Sequence, residues 1–141
     1  MGEGAIELRP GDWAALGAHA GALRHQVFVL EQGIAAEHEC DGRDALAVHC
    51  VAYRDGRPVG TGRLLPDGRI GRMAVVRDAR GLGIGRRILA ALAAVAAARG
   101  DARIELSAQR QVEPFYRAQG FERAGEPYEE VGIAHVKMRR T

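Results

Sequence analysis

At 141 residues the chain is long enough for one domain that buries a core without disulfides or a metal. A hydrophobic fraction of 47% and a charged fraction of 27% are those of an ordinary soluble globular protein, and a net charge of +2 is too small for a nucleic-acid-binding surface. No basic-then-apolar leader and no apolar run of membrane-spanning length is legible, so the expectations are a cytoplasmic location and neither nucleic acid nor membrane among its partners.

Ile6 and Leu8 alternate with polar residues in a short first strand that Pro10-Gly11 stops. Asp12 caps a helical region from Trp13. The glycines at 17 and 21 interrupt it, so two helices are predicted, the second over residues 22–32. A polar loop, residues 37–44, leads into a strand over 47–54. Asp55-Gly56 joins this to a strand over 58–65, because Asp-Gly between two such runs signals a tight hairpin. Pro66-Asp67-Gly68 makes the next turn and residues 69–76 the next strand. A helix over 82–99 follows, with Ile88, Leu92 and Val95 on one stripe, Leu89 and Ala96 beside it, and Gly100 as its stop. Ile104, Leu106 and Ala108 mark a strand. Residues 113–119 form a short helix with Pro114 in its first turn and Gly120 after its end, and residues 121–140 a final hairpin. The predicted fold class is α/β: a mixed central sheet, antiparallel in its N-terminal strands and flanked by helices on both faces. The strand at 69–76 should lie parallel to the strand at Ile104, since a helix crosses between them.

Cys40 and Cys50 are the only cysteines and are expected as thiols. A zinc site built from His38, Cys40, His49 and Cys50 fails on geometry, because His49 and Cys50 are neighbours in a strand and point to opposite faces. No metal is expected.

Arg80-Gly81-Leu82-Gly83-Ile84-Gly85-Arg86-Arg87 is a glycine-rich turn feeding an alanine-rich helix. Without side chains at Gly81, Gly83 and Gly85 a ligand can approach the backbone, and the first-turn N–H groups of the helix have no intrahelical acceptor. Arg80, Arg86 and Arg87 oppose the helix dipole unless a multiply charged anion sits among them. The turn therefore reads as a phosphate site. It is not the dinucleotide fingerprint, which needs glycine at 86 or 88, where Arg86 and Ile88 stand, and the Gly-Lys-Ser/Thr of a P-loop is absent.

Arg80-x-x-Gly83-x-Gly85, preceded by Met73-Ala74-Val75-Val76 and followed by Pro114-Phe115-Tyr116-Arg117-Ala118-Gln119-Gly120-Phe121, resembles the GNAT superfamily of N-acetyltransferases. The likeness spans residues 47–140. Members carry an Arg/Gln-x-x-Gly-x-Gly/Ala loop and a Phe-Tyr-x-x-x-Gly-Phe segment. Leu23-Arg24-His25-Gln26-Val27-Phe28-Val29-Leu30-Glu31-Gln32, with Asp41-Gly42-Arg43-Asp44 and His49, is similar to the ElaA/YjcF-like branch. The resemblance implies one N-acetyltransferase domain over residues 1–141. Its expected reaction carries an acetyl group from acetyl-CoA to a primary amine by direct attack in a ternary complex. The backbone of Met73, Ala74 and Val75 would pair with the pantetheine arm. The pyrophosphate would sit on the amides of Arg80, Gly81, Leu82, Gly83, Ile84, Gly85, Arg86 and Arg87, with Phe115 beside the cofactor or in the core.

Tyr116 matches the tyrosine that protonates the departing thiolate in relatives. A tyrosine titrating at about pH 10 is protonated at neutral pH, as a donor must be; its other reading is an aromatic packing the short helix on the sheet. The strand at 69–76 lacks the glutamate that serves some members as base. Glu31, His49 and Glu105 are the alternatives, directly or through water, and an amine of low pKa needs no base at all. Acceptors bind in the family on the side of residues 22–44. There Glu31, Glu37, Glu39, Asp41 and Asp44 predict an acidic cleft for a cationic amine, whereas Arg24 and Arg63 paired with Asp41 and Asp44 would pin the loop instead. Arg24, Val27-Phe28, Glu39, Asp41, Asp44 and Arg63-Leu64-Leu65-Pro66 also resemble the signature of acyl-homoserine-lactone synthases. A related acyltransferase is thus one alternative, and a coenzyme A-binding regulatory module without turnover another. The acceptor, a small molecule or a peptide, is not readable from the residues, and a homodimer is in keeping with the family.

Overall fold

A computed structural model describes residues 5–130 and 132–141. β1 (Ile6–Gly11) runs antiparallel to β2 (Val48–Arg54), and β2 to β3 (Arg57–Leu64). Asp55 and Gly56 between them both have positive φ, 52° and 83°, the backbone that a tight primed turn requires and that Asp-Gly adopts readily. β1 does not stop at Pro10-Gly11: Pro10 pairs with Cys50 and Gly11 with His49. An edge strand tolerates proline because one of its sides has no ladder to complete.

The first helical region is continuous rather than two helices. In α1 (Trp13–Arg24) the Asp12 carboxylate accepts from the Ala15 N–H at 2.9 Å, and the helix runs straight into a π-helical segment, His25–Glu31. Gly17 is a packing residue here, since a Cβ on it would lie 2.8 Å from the Trp13 indole. That fit outweighs the cost, about 1 kcal/mol, of glycine inside a helix. The expected polar loop holds one helical turn, α2 (Ala36–Glu39), and a 3-10 turn, Asp44–Leu46.

β4 (Arg69–Val75), α3 (Ile84–Ala98), β5 (Ile104–Gln109) and α4 (Glu113–Ala118) follow, and three strands replace the expected C-terminal hairpin. These are β6 (Glu122–Arg123), β7 (Tyr128–Glu130) and β8 (Ile133–Arg140). β8 is long enough to take β6 and β7 end to end on one edge while its other edge pairs with β5. The sheet order is β1-β2-β3-β4-β5-β8-β6, with β7 also on β8.

Side chains alternate along each strand, so the cross-strand register sorts residues into two faces. Trp13 of α1 lies tilted against His49 of β2 and His19 meets Tyr53 edge-on; across the ladders this face continues through Arg63, Gly71, Glu105, Ser107, Gln109 and His135. α3 covers the opposite face, where Ile88 and Leu92 press against Gly62 and the face continues through Leu64, Ile70, Leu106, Ala108 and Val136. Helices thus lie on both faces, as expected.

β4 and β5 are parallel, as the crossover helix requires, but they pair only at Arg69 with Glu105 and Ile70 with Leu106. Beyond these residues the two strands part.

Candidate active site

The parting of the strands opens a cleft of about 660 Å³. Along residues 71–75, β4 keeps its ladder to β3 and has no partner strand on its other edge. Arg72 and Met73 oppose the single residue Gly62, a β-bulge, and Arg72 has φ 51°. A non-glycine residue in that region costs on the order of 1 kcal/mol. It is held there by its own guanidinium, whose Nε donates to the Glu39 carbonyl at 3.1 Å.

At one end of the cleft stands the glycine turn. Gly83, φ 79° and ψ 14°, is the N-cap of α3, so the helix starts at Ile84 rather than Leu82. The Arg87 N–H reaches the Gly83 carbonyl at 3.1 Å, which leaves the first-turn amides of Ile84, Gly85 and Arg86 without intrahelical acceptors. No acidic residue occupies that turn. Gly85 faces the cleft walls: a Cβ there would lie 3.8 Å from Phe115 and 3.9 Å from Val75. Such a helix end can receive phosphate.

Arg80 is not free to do so alone. Its two terminal nitrogens donate to Glu31 Oε1 and Oε2, both at 2.7 Å, its Nε donates to the Val75 carbonyl at 2.9 Å, and Arg77 lies 3.5 Å from the same carboxylate. The hydrogen bonds and charge of Arg80 hold the Glu31 carboxyl below its usual range.

Tyr116 lines the cleft while packing edge-on against Phe115 and Phe121, at 5.0 Å and 5.9 Å, so both of its expected roles are structurally compatible. Burial pushes its hydroxyl up to about 12. α4, which carries it, is tied to β6 by Glu113, whose carboxylate accepts from Arg123 at 2.6 Å and Arg117 at 3.0 Å. Arg123 and then Arg117 hold that carboxyl down at about 2.

The three base candidates are each engaged elsewhere. Glu31 is bound by Arg80. His49 is 1% exposed under Trp13, its Nε2 lies 2.9 Å from the Asp44 carbonyl, and burial lowers its pKa despite Asp44 nearby. Glu105 accepts from Arg139 at 3.0 Å. Neither Glu31 nor His49 lines the cleft.

On the side where an acidic cleft was expected, Glu39, Asp41 and Asp44 are held in ion pairs. Arg24, 2% exposed, donates to both oxygens of Asp44, at 2.7 Å and 3.1 Å, and to Glu39. Arg63 donates to both oxygens of Asp41, each at 2.9 Å, and to Asp44 at 3.2 Å; Arg72 reaches Asp41 at 3.4 Å. Three guanidinium groups thus meet three carboxylates, and the loop is pinned. Burial opposes the ionisation of Asp41 and Asp44, but Arg63 and Arg24 outweigh it and hold both carboxyls well below the usual carboxylate range.

Sequence reasoning missed two residues. Arg72 joins this network only because the bulge turns it there. His135 lines the same cleft as Arg63 and Arg72, and only the pairing of β8 with β5 brings it there. Among the described residues no group of three or more His, Cys, Asp or Glu is placed to hold a metal ion, and no helix is long and apolar enough to cross a membrane.

A mixed sheet whose parallel pair opens beside a helix N-terminus is the frame of an acyltransferase, and comparison with known proteins agrees. Residues 25–141 match the family model described as acetyltransferase (GNAT) domain. The uncharacterized N-acetyltransferase YjcF of Bacillus subtilis is 36% identical over 122 residues, 84% of this chain and 87% of YjcF. Among solved structures, an acyl-CoA N-acyltransferase from Pseudomonas aeruginosa is 33% identical, with 97% of this chain and 100% of that one covered and a TM-score of 0.84. Escherichia coli ElaA is 25% identical over the same shares of the two chains, with a TM-score of 0.87. The chain belongs to the GNAT acetyltransferase family, alongside YjcF and ElaA.

Proposed function

We propose that the protein transfers an acetyl group from acetyl-coenzyme A to a primary amine, on a small molecule or a peptide, by direct attack within a ternary complex. One observation carries this reading: the parting of β4 from β5 joins Gly85 at the start of α3, an unpaired strand edge and Tyr116 in a single cleft. The pyrophosphate rests on the turn of residues 80–87, where the first-turn amides of Ile84, Gly85 and Arg86 and the helix dipole favour it. The pantetheine amides pair with the free edge at Met73 and Ala74; at Val75 the carbonyl is shared with Arg80. Phe115 flanks the arm beside Gly85.

Tyr116 then protonates the departing thiolate. Burial keeps its hydroxyl protonated far above neutral pH, and a positioned donor of this kind contributes roughly 10²- to 10⁴-fold. Glu31 and His49 take no proton in this reading: Glu31 is held by Arg80, and His49 supports the pinned loop from beneath Asp44.

The test is release of free thiol from acetyl-coenzyme A over a panel of primary amines, alongside calorimetric binding of coenzyme A. Acceptor-dependent thiol release is the expected result. Tight cofactor binding with no turnover on any amine would leave a coenzyme A-binding module in its place.

A further inference from the structure

We infer that His135 is the general base of this site, receiving the proton of the attacking amine on its Nε2. The inference rests on the amine-transfer reading above.

Direct transfer to a protonated amine needs a base on the amine's side of the thioester and an acid on the sulfur's side. The sheet separates those sides. Tyr116 belongs to α4, which lies beside Gly85 and so shares the face covered by α3. His135 pairs with Gln109 across β8 and β5 on the opposite face, the one that α1 covers. Both residues line the cleft that passes between β4 and β5, so acid and base approach one thioester from opposite faces.

The ring is set for the task. Its Nδ1 lies 2.7 Å from the Ile133 carbonyl. A carbonyl only accepts, so Nδ1 carries the hydrogen and the neutral ring keeps its lone pair on Nε2. Glu130 Oε2 lies 4.0 Å from that nitrogen. The ring stacks on Tyr128, whose hydroxyl is hydrogen-bonded to Ser107. Tyr128 and Glu130 are the titratable groups facing it from β7. β5 presents the uncharged Ser107 and Gln109, β8 adds Lys137 on the same face, and the turn Arg110–Val112 brings Arg110, itself 3.7 Å from Glu113. The carboxylates considered from the sequence are occupied by arginines, whereas this nitrogen has an acceptor lone pair to offer.

The protons balance. One proton of the substrate ammonium passes to Nε2 and on to solvent, and the freed lone pair attacks the thioester carbonyl. The tetrahedral adduct collapses with cleavage of the C–S bond, and the sulfur takes the Tyr116 proton. The second ammonium proton restores Tyr116. The products are the amide, the free thiol and one proton.

His135→Gln keeps the size and polarity of the side chain and removes the base. With a strongly basic alkylamine, kcat should fall by about 10²- to 10⁴-fold while the KM for acetyl-coenzyme A holds, and the rate–pH profile should change shape. With a weakly basic amine that is already neutral, the same variant should recover most of its rate. A structural role would slow both acceptors alike. His135→Asn, compared by circular dichroism and coenzyme A affinity, checks folding. An unchanged pH profile in either variant, or equal loss with both amines, overturns the inference; absence of turnover in the wild-type enzyme on every amine would instead overturn the amine-transfer reading.

Discussion

Arg80 and Glu31 meet end-on, each terminal guanidinium nitrogen 2.7 Å from a different carboxylate oxygen, and so join the π-helical segment to the glycine turn. The arginine expected to meet a pyrophosphate already holds an anion of the protein's own. Glu31→Gln should release it, tightening coenzyme A binding by about two- to fivefold, a small gain because the pair is partly exposed and screened. Turnover should stay within about twofold. Calorimetry and steady-state rates check the two halves; a collapse of kcat would make Glu31 a base after all.

Gly83 adopts φ 79°, a left-handed backbone that costs a residue with a Cβ about 1–2 kcal/mol. Gly83→Ala should therefore weaken coenzyme A binding through the turn's geometry, and Gly83→Glu should weaken it more than tenfold by adding a negative charge beside the pyrophosphate. Undiminished affinity of Gly83→Glu in calorimetry would place the phosphate site elsewhere.

Tyr116→Phe should lower turnover by roughly 10- to 1000-fold with cofactor affinity nearly intact, because a proton donor to the thiolate acts chiefly in the transition state. Since burial raises the hydroxyl to about 12, ionisation of Tyr116 should cost the wild-type enzyme no activity between pH 8 and about 10.5. A Tyr116-dependent alkaline loss in that window, read by comparing the two rate–pH profiles, would contradict the burial.

Arg24 is buried among carboxylates, so Arg24→Ala leaves Asp44 and Glu39 without their charge partner and should destabilise the fold by about 3–5 kcal/mol in urea melts. The same network sets an acid limb. Asp41 and Asp44 have folded pKa values below their unfolded ones, so their contribution is fully present above the ordinary carboxylate range and is lost as pH falls below about 4. Asp44→Asn should be less stable than wild type at pH 7 and lose less on going to pH 3. Equal losses would mean that Asp44 is not held ionised.

Much of the site was readable from adjacent residues. Asp55-Gly56 encodes a turn because both residues tolerate positive φ, Asp12 encodes a helix start because its carboxylate reaches the Ala15 N–H, and residues 80–87 encode a phosphate-ready helix end because glycine leaves its amides open. These features depend on neighbours a few positions away. The glycines at 17 and 21 read locally as a break, but Gly17 is where Trp13 lies against its helix, and propensity yields to packing of that size.

Charge was the least legible property. Glu31, Asp41 and Asp44 count as acidic surface in a linear reading, yet each is bound by an arginine at least 19 positions distant along the chain. His135 reads as one polar residue in a C-terminal strand until β8 is laid beside β5. Local pattern thus determined most of the elements and the glycine turn, because dihedral limits and capping act over a few residues. The tertiary structure alone decided which charges cancel, where β4 leaves β5 and which nitrogen keeps an available lone pair, because hydrogen bonds and ion pairs act at about 3 Å between groups that only strand order brings together.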